Sequence, residues 1–197
     1  MKVLALELSS SLGSVAFLDE TGAGQAQIFP ADRKDSGSFY ENLQAIYRNC
    51  GAPEVIVVGL GPGSYAGTRI AIATALGLQA ASGARLVGLP SVCAYEPDEY
   101  VVVGDARRNS FFFAHVVRGR CVEGPTLATE EELRAKLSSW PHQPIFAAQP
   151  LPQFAKISVA HPSARQLAEL ALQVGFDPGQ TLEPIYLREP YITIAKK

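Results

Sequence analysis

The pattern of apolar and polar positions in the first half of the chain predicts a mixed sheet that begins with two hairpins. Short apolar segments near the N-terminus alternate with polar, glycine-bearing turns, which is typical of strands joined by tight connections. Two consecutive hairpins argue against a chain that opens with a simple strand–helix–strand unit. The predicted strands of this half cover residues 3–8, 14–18, 25–29, 55–60 and 86–89.

A first helix is predicted over residues 36–49, between the third and fourth strands. Ser38 and Glu41 stand at the spacing of a capping box near its start, and Gly51 and Pro53 follow its end. The apolar residues that recur at helical spacing on one face are Phe39, Leu43, Ile46 and Tyr47.

A second helix is predicted over residues 64–82, and it has almost no polar face. Thr74 and Gln79 are nearly the only interruptions in its apolar surface. A helix that is apolar all round has to be covered all round. One side can rest on the sheet, and the other needs a neighbouring helix of the same chain or another protein. We expect a shared helical interface to complete the cover.

The second half of the chain predicts another run of strands after a proline-bearing connection at residues 90–99. A helix begins after Thr129, a proline-rich stretch covers 141–152, and Ser163 precedes a helix that reaches residue 174. The predicted extended segments of this half are 100–104, 110–117, 121–127 and 183–191. The βββαβα order, started a second time and cut short, predicts an α/β fold of two actin-like lobes, residues 1–95 and a reduced lobe at 96–197.

Composition and charge narrow the function classes. Hydrophobic residues make up 47% of the 197 residues, which is enough for a core. No apolar run has the length of a membrane span, and the first residues read as a strand because Glu7 interrupts them. We therefore expect a cytoplasmic protein with no membrane contact. A net charge of -2 argues against a protein that binds nucleic acid without a partner.

The residues that usually hold metals or form nucleophile–base pairs are scattered. Three cysteines and three histidines show no metal-ligand spacing and no disulfide framework. No nucleophile, base and orienting group can be assembled from the sequence. We therefore expect no catalytic residues, no cofactor and no catalytic metal.

The glycine-rich stretch at residues 59–69 is the most distinctive segment. It follows a buried strand and opens a helix, so its backbone N–H groups could face an anion; the candidate residues are Gly61, Gly63 and Ser64. It lacks the lysine of a Walker loop, and no acidic residue follows at the spacing of a dinucleotide fold. The alternative is that these glycines only permit close strand-to-helix packing.

Two carboxylates stand at equivalent positions of the two predicted lobes. Glu7 precedes the first turn, which carries Ser9 and Ser10, and Asp105 ends the first strand of the second lobe. Facing carboxylates could hold magnesium through water. The alternative is that both accept hydrogen bonds from the backbone of their own loops.

Four blocks of sequence, in this order, resemble the TsaB (YeaZ) family. They are LALELSS at 4–10, GPGSYAGTRI at 61–70, DARR at 105–108 and EPIYLR at 183–188. That family usually reads L-A-I-D-T-S, G-P-G-S-F-T-G-V-R-I, D-A-R and E-P-x-Y-L-R. The resemblance covers almost the whole chain, and the second block is its specific part.

The resemblance implies an actin-like, ribonuclease H-like fold and a place in a complex with TsaD and TsaE homologues. In that complex TsaD would transfer threonylcarbamoyl to adenosine 37 of tRNA, and TsaE would be the ATPase. A TsaB-like chain would be the inactive paralogue of TsaD and would meet tRNA only through the complex. The competing class is a small-molecule kinase or ATPase of the actin-like superfamily.

The sequence departs from the family pattern at three places that bear on nucleotide binding. Glu7 replaces the usual Asp, residues 35–38 lack a histidine that many relatives carry, and the second lobe is short. A longer side chain at position 7 would crowd a phosphate site. We therefore predict weak or absent nucleotide binding, at a site that is vestigial.

The two predicted helices of the first lobe are the expected partner surface. Large exposed apolar patches on soluble proteins mark interaction sites, and aromatic residues are enriched in interface cores. The same patch would pair two copies of the chain when it is alone and would bind TsaD in the complex. The predicted interface residues are Phe39, Tyr40, Leu43, Ile46, Tyr47, Ala71, Ala75 and Leu78.

Overall fold

A computed structural model describes residues 1–31, 36–173 and 182–188 of the chain. Its ten strands are β1 (Val3–Glu7), β2 (Leu12–Leu18), β3 (Gly24–Pro30), β4 (Val55–Gly59), β5 (Arg85–Leu89), β6 (Glu99–Asp105), β7 (Phe111–Val117), β8 (Arg120–Ala128), β9 (Ile145–Ala147) and β10 (Ile157–Val159). The helices are α1 (Gly37–Cys50), α2 (Tyr65–Ser82), α3 (Glu130–Ser138) and α4 (Ala164–Gln173).

The strands form two five-stranded sheets with the same topology. The first has the order β3-β2-β1-β4-β5, and the second has the order β8-β7-β6-β9-β10. In each sheet the first three strands form an antiparallel meander, and the fourth strand pairs in parallel with the first. The predicted duplicated α/β architecture is therefore confirmed as two actin-like lobes.

The first sheet is covered on both faces, because β1 and β4 are buried along their whole lengths. Helices α1 and α2 lie on one face, where Leu4 and Ile56 meet the apolar side of α1. Helix α4 lies on the other face, where Val3 and Val57 contact Leu167. This helix comes from the C-terminal half of the sequence, yet it completes the first sheet. The boundary between residues 95 and 96 stays a prediction.

Helix starts show where local sequence was sufficient. Thr129 and Glu132 form a complete capping box at α3. The capping box expected from Ser38 and Glu41 is wrong, because α1 already begins at Gly37 and Ser36 is the cap residue, without a side-chain hydrogen bond.

Two short strands were absent from the prediction. The proline-rich stretch contains β9, and β10 pairs with it in parallel, so the second sheet reaches five strands. The extended segment predicted for 183–191 has no strand within 182–188, and its remaining residues lie outside the described part. Within the described ranges, no helix combines the length and hydropathy needed to cross a membrane.

Candidate functional site

A cavity of about 520 Å³ lies between the two lobes. The first lobe contributes the turn after β1 and the loop before α2, and the second contributes the end of β6. Of the predicted site residues, the cavity is lined by Ser9, Ser10, Gly63, Ser64 and Asp105. Glu7 and Gly61 are buried and are not among the residues that line it.

Glu7 is fully buried and holds loops together. Its Oε1 accepts a hydrogen bond from the N–H of Ser9 at 2.6 Å, and its Oε2 accepts one from Oγ of Ser91 at 2.6 Å. Oγ of Ser91 in turn accepts the N–H of Gly61 at 3.0 Å. One carboxyl group thus connects the first turn, the glycine-rich loop and the segment after β5.

Burial raises the pKa of Glu7 above its ordinary value, and the hydrogen bonds from Ser9 and Ser91 oppose this only in part. Asp105 likewise stabilises its own loop, because its Oδ1 accepts a hydrogen bond from the N–H of Arg107 at 2.6 Å. Each carboxyl group accepts a backbone hydrogen bond from its own loop, which is the alternative that we gave to a magnesium site. They do not line the cavity as a facing pair, because Glu7 is withdrawn from it.

The glycines of the loop permit close packing. A Cβ atom on Gly63 would overlap the carbonyl oxygen of Ser9, and one on Gly67 would overlap that of Leu8. The N–H of Ser64 donates to the same Ser9 carbonyl at 2.6 Å, and Oγ of Ser64 caps α2 by accepting the N–H of Gly67. The glycines therefore allow the close strand-to-helix packing that we gave as the alternative. This packing holds the glycine-rich loop against the first turn.

The turn after β6 carries backbone strain at the mouth of the cavity. Arg107, Arg108 and Asn109 all have positive φ, at 62°, 53° and 55°. Non-glycine residues rarely adopt this region, and three in succession require support from the surrounding structure. That support includes two backbone hydrogen bonds within the turn: the N–H of Ala106 donates to the carbonyl of Ser110, and the N–H of Ser110 donates to the carbonyl of Arg107.

The segment 182–188 joins this neighbourhood from the far end of the sequence. The N–H of Ile185 donates to the carbonyl of Leu60 at 2.8 Å. The ring of Tyr186 lies 5.7 Å from that of Tyr65, and the guanidinium of Arg69 lies 3.6 Å from the Tyr65 ring centre. All four sequence blocks that carry the family resemblance therefore meet around one interlobe region.

Sequence reasoning missed a contact between His161 and Ser10. Nδ1 of His161 lies 3.1 Å from Oγ of Ser10, and burial lowers the pKa of the histidine. The Ser10 hydroxyl donates to the carbonyl of Leu12 at 2.7 Å, so its proton is engaged away from the histidine. The two residues are 151 positions apart, and no local pattern could have paired them.

The predicted interface residues divide into two groups. Phe39, Leu43, Ile46, Ala71 and Ala75 are buried in the core of the first lobe, and only the edge of Leu43 reaches the surface. Tyr40, Tyr47 and Leu78 are accessible and line a shallow groove between α1 and α2, with Leu43 at its base.

The outer face of α2 is exposed in the single chain, so the cover that we expected from a partner stays a prediction. Leu76 is 48% exposed, and Ala73, Gly77 and Ala80 are exposed along the same stripe. The accessible patch is therefore the groove together with this stripe of small residues, which we call the α1–α2 surface. Residues Ala71 and Ala75 face inward, away from it.

The comparisons with known proteins identify the fold. A protein from Pseudomonas aeruginosa described as uncharacterized, with similarity to peptidase YeaZ, superposes with a TM-score of 0.73 and 22% identity, covering 95% of this chain and 99% of that one. YeaZ from Pseudomonas aeruginosa superposes with a TM-score of 0.67 and 21% identity, covering 94% and 99%. No protein-family model and no curated protein sequence matches the chain. The chain therefore shares the two-lobed, actin-like fold of the YeaZ structures over nearly its whole length.

Proposed function

We propose that this chain is a TsaB-like, non-catalytic partner subunit of a cytoplasmic complex that installs threonylcarbamoyl on adenosine 37 of tRNA. Its partners would be a TsaD-like paralogue, which carries the transferase chemistry, and a TsaE-like ATPase. The tRNA would be held chiefly by those partners, since this chain has a net charge of -2.

One observation carries the proposal. The four blocks of the TsaB resemblance, which are spread from residue 4 to residue 188, converge on one region of a fold shared with YeaZ. Blocks that lay apart in the fold would point to chance similarity of short motifs. Their convergence supports a shared architecture for that region as well as a shared fold.

The contacts of the cleft residues support a non-catalytic role. Glu7 is engaged with Ser9 and Ser91, and the Ser10 hydroxyl donates to a backbone carbonyl. The Glu7 carboxyl group and the Ser10 hydroxyl are therefore both hydrogen-bonded to other groups of the same chain. A nucleophile or general base needs its hydrogen-bonding groups for the reacting atoms.

The α1–α2 surface is the proposed contact with the TsaD-like partner. It combines the aromatic groove at Tyr40 and Tyr47 with the small residues of α2, which let another helix approach closely. A partner of the same fold would present a similar pair of helices, so the two surfaces could pack face to face.

The test is capture of the TsaD-like paralogue from the same organism by the tagged chain. Ala73→Glu and Leu76→Glu place a charge on the exposed stripe without entering the core, and we expect each to weaken capture by tenfold or more, equivalent to about 1.4 kcal/mol. Ala75→Glu is unsuitable, because that side chain is fully buried and the variant would disturb folding.

The matched control is Val122→Glu, at an exposed apolar residue of β8 in the other lobe. It should fold and capture the paralogue like the unmodified chain. Unchanged capture by both α2 variants, with circular dichroism confirming their fold, would place the contact elsewhere. Failure of the unmodified chain to bind any TsaD-like paralogue would refute the proposed function itself.

A small-molecule kinase or ATPase of the same superfamily is the second candidate. The interlobe cavity of about 520 Å³ favours it, since pockets of this size accept small ligands. Nucleotide titration of the isolated chain separates the two candidates, and its expected result is given in the Discussion.

A further inference from the structure

We propose that a groove between the two lobes binds an unpaired segment of RNA, whose bases stack on Tyr65 and Tyr186 and whose phosphates contact the surrounding arginines. The inference deepens the proposed function and rests on it for the choice of RNA over DNA. It gives this chain a direct, secondary contact with the RNA substrate, in addition to the contacts that the partners make.

The groove lies beside the interlobe cavity and has a volume of about 300 Å³. The start of α2, the turn after β6 and the segment 182–188 form its walls. Arg69 lies against one of the lining side chains, the ring of Tyr65. We use the name arginine–tyrosine groove for the set formed by Tyr65, Arg69, Arg107, Tyr186 and Arg188.

Two exposed tyrosine rings lie side by side in this groove. Tyr65 is 55% exposed and Tyr186 is 44% exposed, and their ring centres are 5.7 Å apart. Within the described ranges, Tyr40 on α1 is the one other large aromatic side chain that is exposed. Exposed aromatic rings are the surfaces on which proteins stack unpaired bases. The adjacent pair therefore offers a stacking surface for bases.

Arg69 holds the ring of Tyr65 in place. Its guanidinium lies 3.6 Å from the ring centre of Tyr65 and 5.4 Å from that of Tyr186. A guanidinium over an aromatic ring is attracted by the electrons of the ring face. A ring that is fixed before binding loses less conformational freedom when a base stacks on it. The contact thus prepares the groove for a flat ligand.

Positive charge is concentrated around the two rings, although the net charge of the chain is -2. The segments that form the groove are residues 60–69, 105–112 and 182–188, and they contain more arginines than carboxylates. The arginines are Arg69, Arg107, Arg108 and Arg188, and the carboxylates are Asp105 and Glu183. An anionic strand is therefore attracted locally to a surface that the total charge does not reveal.

The charges of three groove arginines are available to a ligand. Within the part of the chain that the structure describes, no carboxylate forms an ion pair with Arg69, Arg107 or Arg188. Arg188 donates one N–H to the carbonyl of Arg107 at 3.4 Å, which places its guanidinium beside the turn and leaves its other donors for a ligand. Arginine binds phosphate oxygens with two parallel N–H groups, so these side chains suit a phosphate backbone.

The combination of rings and guanidinium groups favours an unpaired strand over other anionic partners. In a duplex the base faces are already stacked on one another, so the tyrosine rings would find no partner. An acidic protein segment would neutralise the arginines but supplies carboxylates in place of flat bases. An unpaired strand supplies both bases and phosphates, and the groove has a matching group for each.

The first experiment is fluorescence anisotropy of the full chain with a labelled oligouridine strand at low salt. We expect Tyr65→Ala and Tyr186→Ala each to weaken binding about tenfold, because each removes a stacking ring. Tyr65→Phe and Tyr186→Phe keep the rings and should bind like the unmodified chain. The matched control Tyr40→Ala removes the exposed tyrosine of α1 and should leave the affinity unchanged.

The second experiment measures the salt dependence of the same binding. Each phosphate contact to a single strand contributes about 0.7 to the slope of log affinity against log salt concentration. Arg107→Gln and Arg188→Gln should each reduce the slope by about that amount, whereas Arg188→Lys keeps the charge and the slope. Arg120→Gln, at an exposed arginine of β8, is the control and should not change it.

Competition identifies the class of ligand. Unlabelled oligouridine should displace the labelled strand, and equal concentrations of an RNA duplex or of polyglutamate should not. Equal displacement by polyglutamate would make the groove a docking site for an acidic protein, and equal displacement by the duplex would remove the role of stacking. Tighter binding of oligodeoxyuridine than of oligouridine would overturn the choice of RNA.

Absence of binding by the unmodified chain, or binding that neither alanine variant weakens, would overturn the proposal. Capture of the TsaD-like paralogue by Tyr65→Ala and Tyr186→Ala should stay normal, because neither residue belongs to the α1–α2 surface. Loss of capture in the unmodified chain would refute the proposed function. The two failures are therefore distinguished by separate measurements, oligouridine titration for the groove and paralogue capture for the proposed function.

Discussion

Oγ of Ser91 donates a hydrogen bond to Oε2 of Glu7 at 2.6 Å, although 84 residues separate them. The contact closes a network in which Glu7 also accepts the N–H of Ser9, and Ser91 accepts that of Gly61. A buried carboxyl group is tolerated when its oxygens are hydrogen-bonded. The acidic side chain in the first turn therefore organises the floor of the interlobe cavity.

Replacing Glu7 should destabilise the fold. Glu7→Ala leaves the N–H of Ser9 and the hydroxyl of Ser91 without their acceptor inside the protein, and we expect a loss of about 2–3 kcal/mol in the free energy of unfolding. Urea denaturation followed by circular dichroism measures it. Glu41→Ala, at an exposed position of α1, is the control and should change stability by less than about 0.5 kcal/mol. Equal effects would contradict the network.

The Glu7 carboxyl group should also make the stability of the fold depend on pH. Burial raises the folded-state pKa of Glu7 above its ordinary value of 4.5, so the unfolded chain releases this proton at lower pH than the folded protein does. The stability that this shift contributes is fully present below pH 4.5 and is lost as the pH rises through the folded-state pKa. Relative to Glu7→Gln, whose amide does not titrate, the unmodified chain should lose stability across that window. A difference that stays flat or grows with pH in urea titrations would refute the shift.

Two glycines of α2 should respond to alanine in opposite directions. Gly67→Ala introduces a Cβ against the carbonyl oxygen of Leu8, and we expect a destabilisation of about 1–3 kcal/mol. Gly77→Ala has open space around its Cβ, so the better helix propensity should stabilise the protein by about 0.5–1 kcal/mol. Thermal and urea denaturation of both variants measure the pair. If both variants changed stability by a similar amount, the contact with the Leu8 carbonyl would not be the reason for glycine at position 67.

Nucleotide binding by the isolated chain should be weak or absent. Glu7 is withdrawn from the cavity, and Asp105 is engaged with the backbone of its own turn, so neither is arranged to hold a metal–phosphate group. Isothermal titration with ATP and magnesium should show no binding in the micromolar range. Micromolar binding that is lost in Glu7→Ala would favour the kinase or ATPase alternative.

The sequence by itself predicted the repeated meander and most of the elements of both lobes. Apolar periodicity and turn residues are local, so β1 to β5 and the helices between them could be placed within a few residues. The cap at Thr129 was predicted because helix caps are local, and the structure adds Glu132 as the second member of its capping box. The short strands β9 and β10 were missed because three residues carry too little periodicity, and their pairing is made across the sheet.

The tertiary structure decided which side chains of α2 are buried and which are accessible to a partner. The pattern of α2 is apolar on every side, so it could not tell the buried Ala71 and Ala75 from the exposed Ala73 and Ala80. The direction of each residue depends on where the sheet and α1 lie. The positions of β3 and β8 at the edges of their sheets were decided in the same way, because strand order is a long-range property.

The candidate site shows the same division. Sequence identified Glu7, Gly63, Ser64 and Asp105 as unusual, and the structure brought the last three to one cavity. It also placed Ser91 behind Glu7, from a segment that no local pattern connects to the first turn. Residue types and spacing determined the elements and the candidates. Burial and contacts between distant segments decided their roles, because hydrogen-bond partners are set by how the chain folds back on itself.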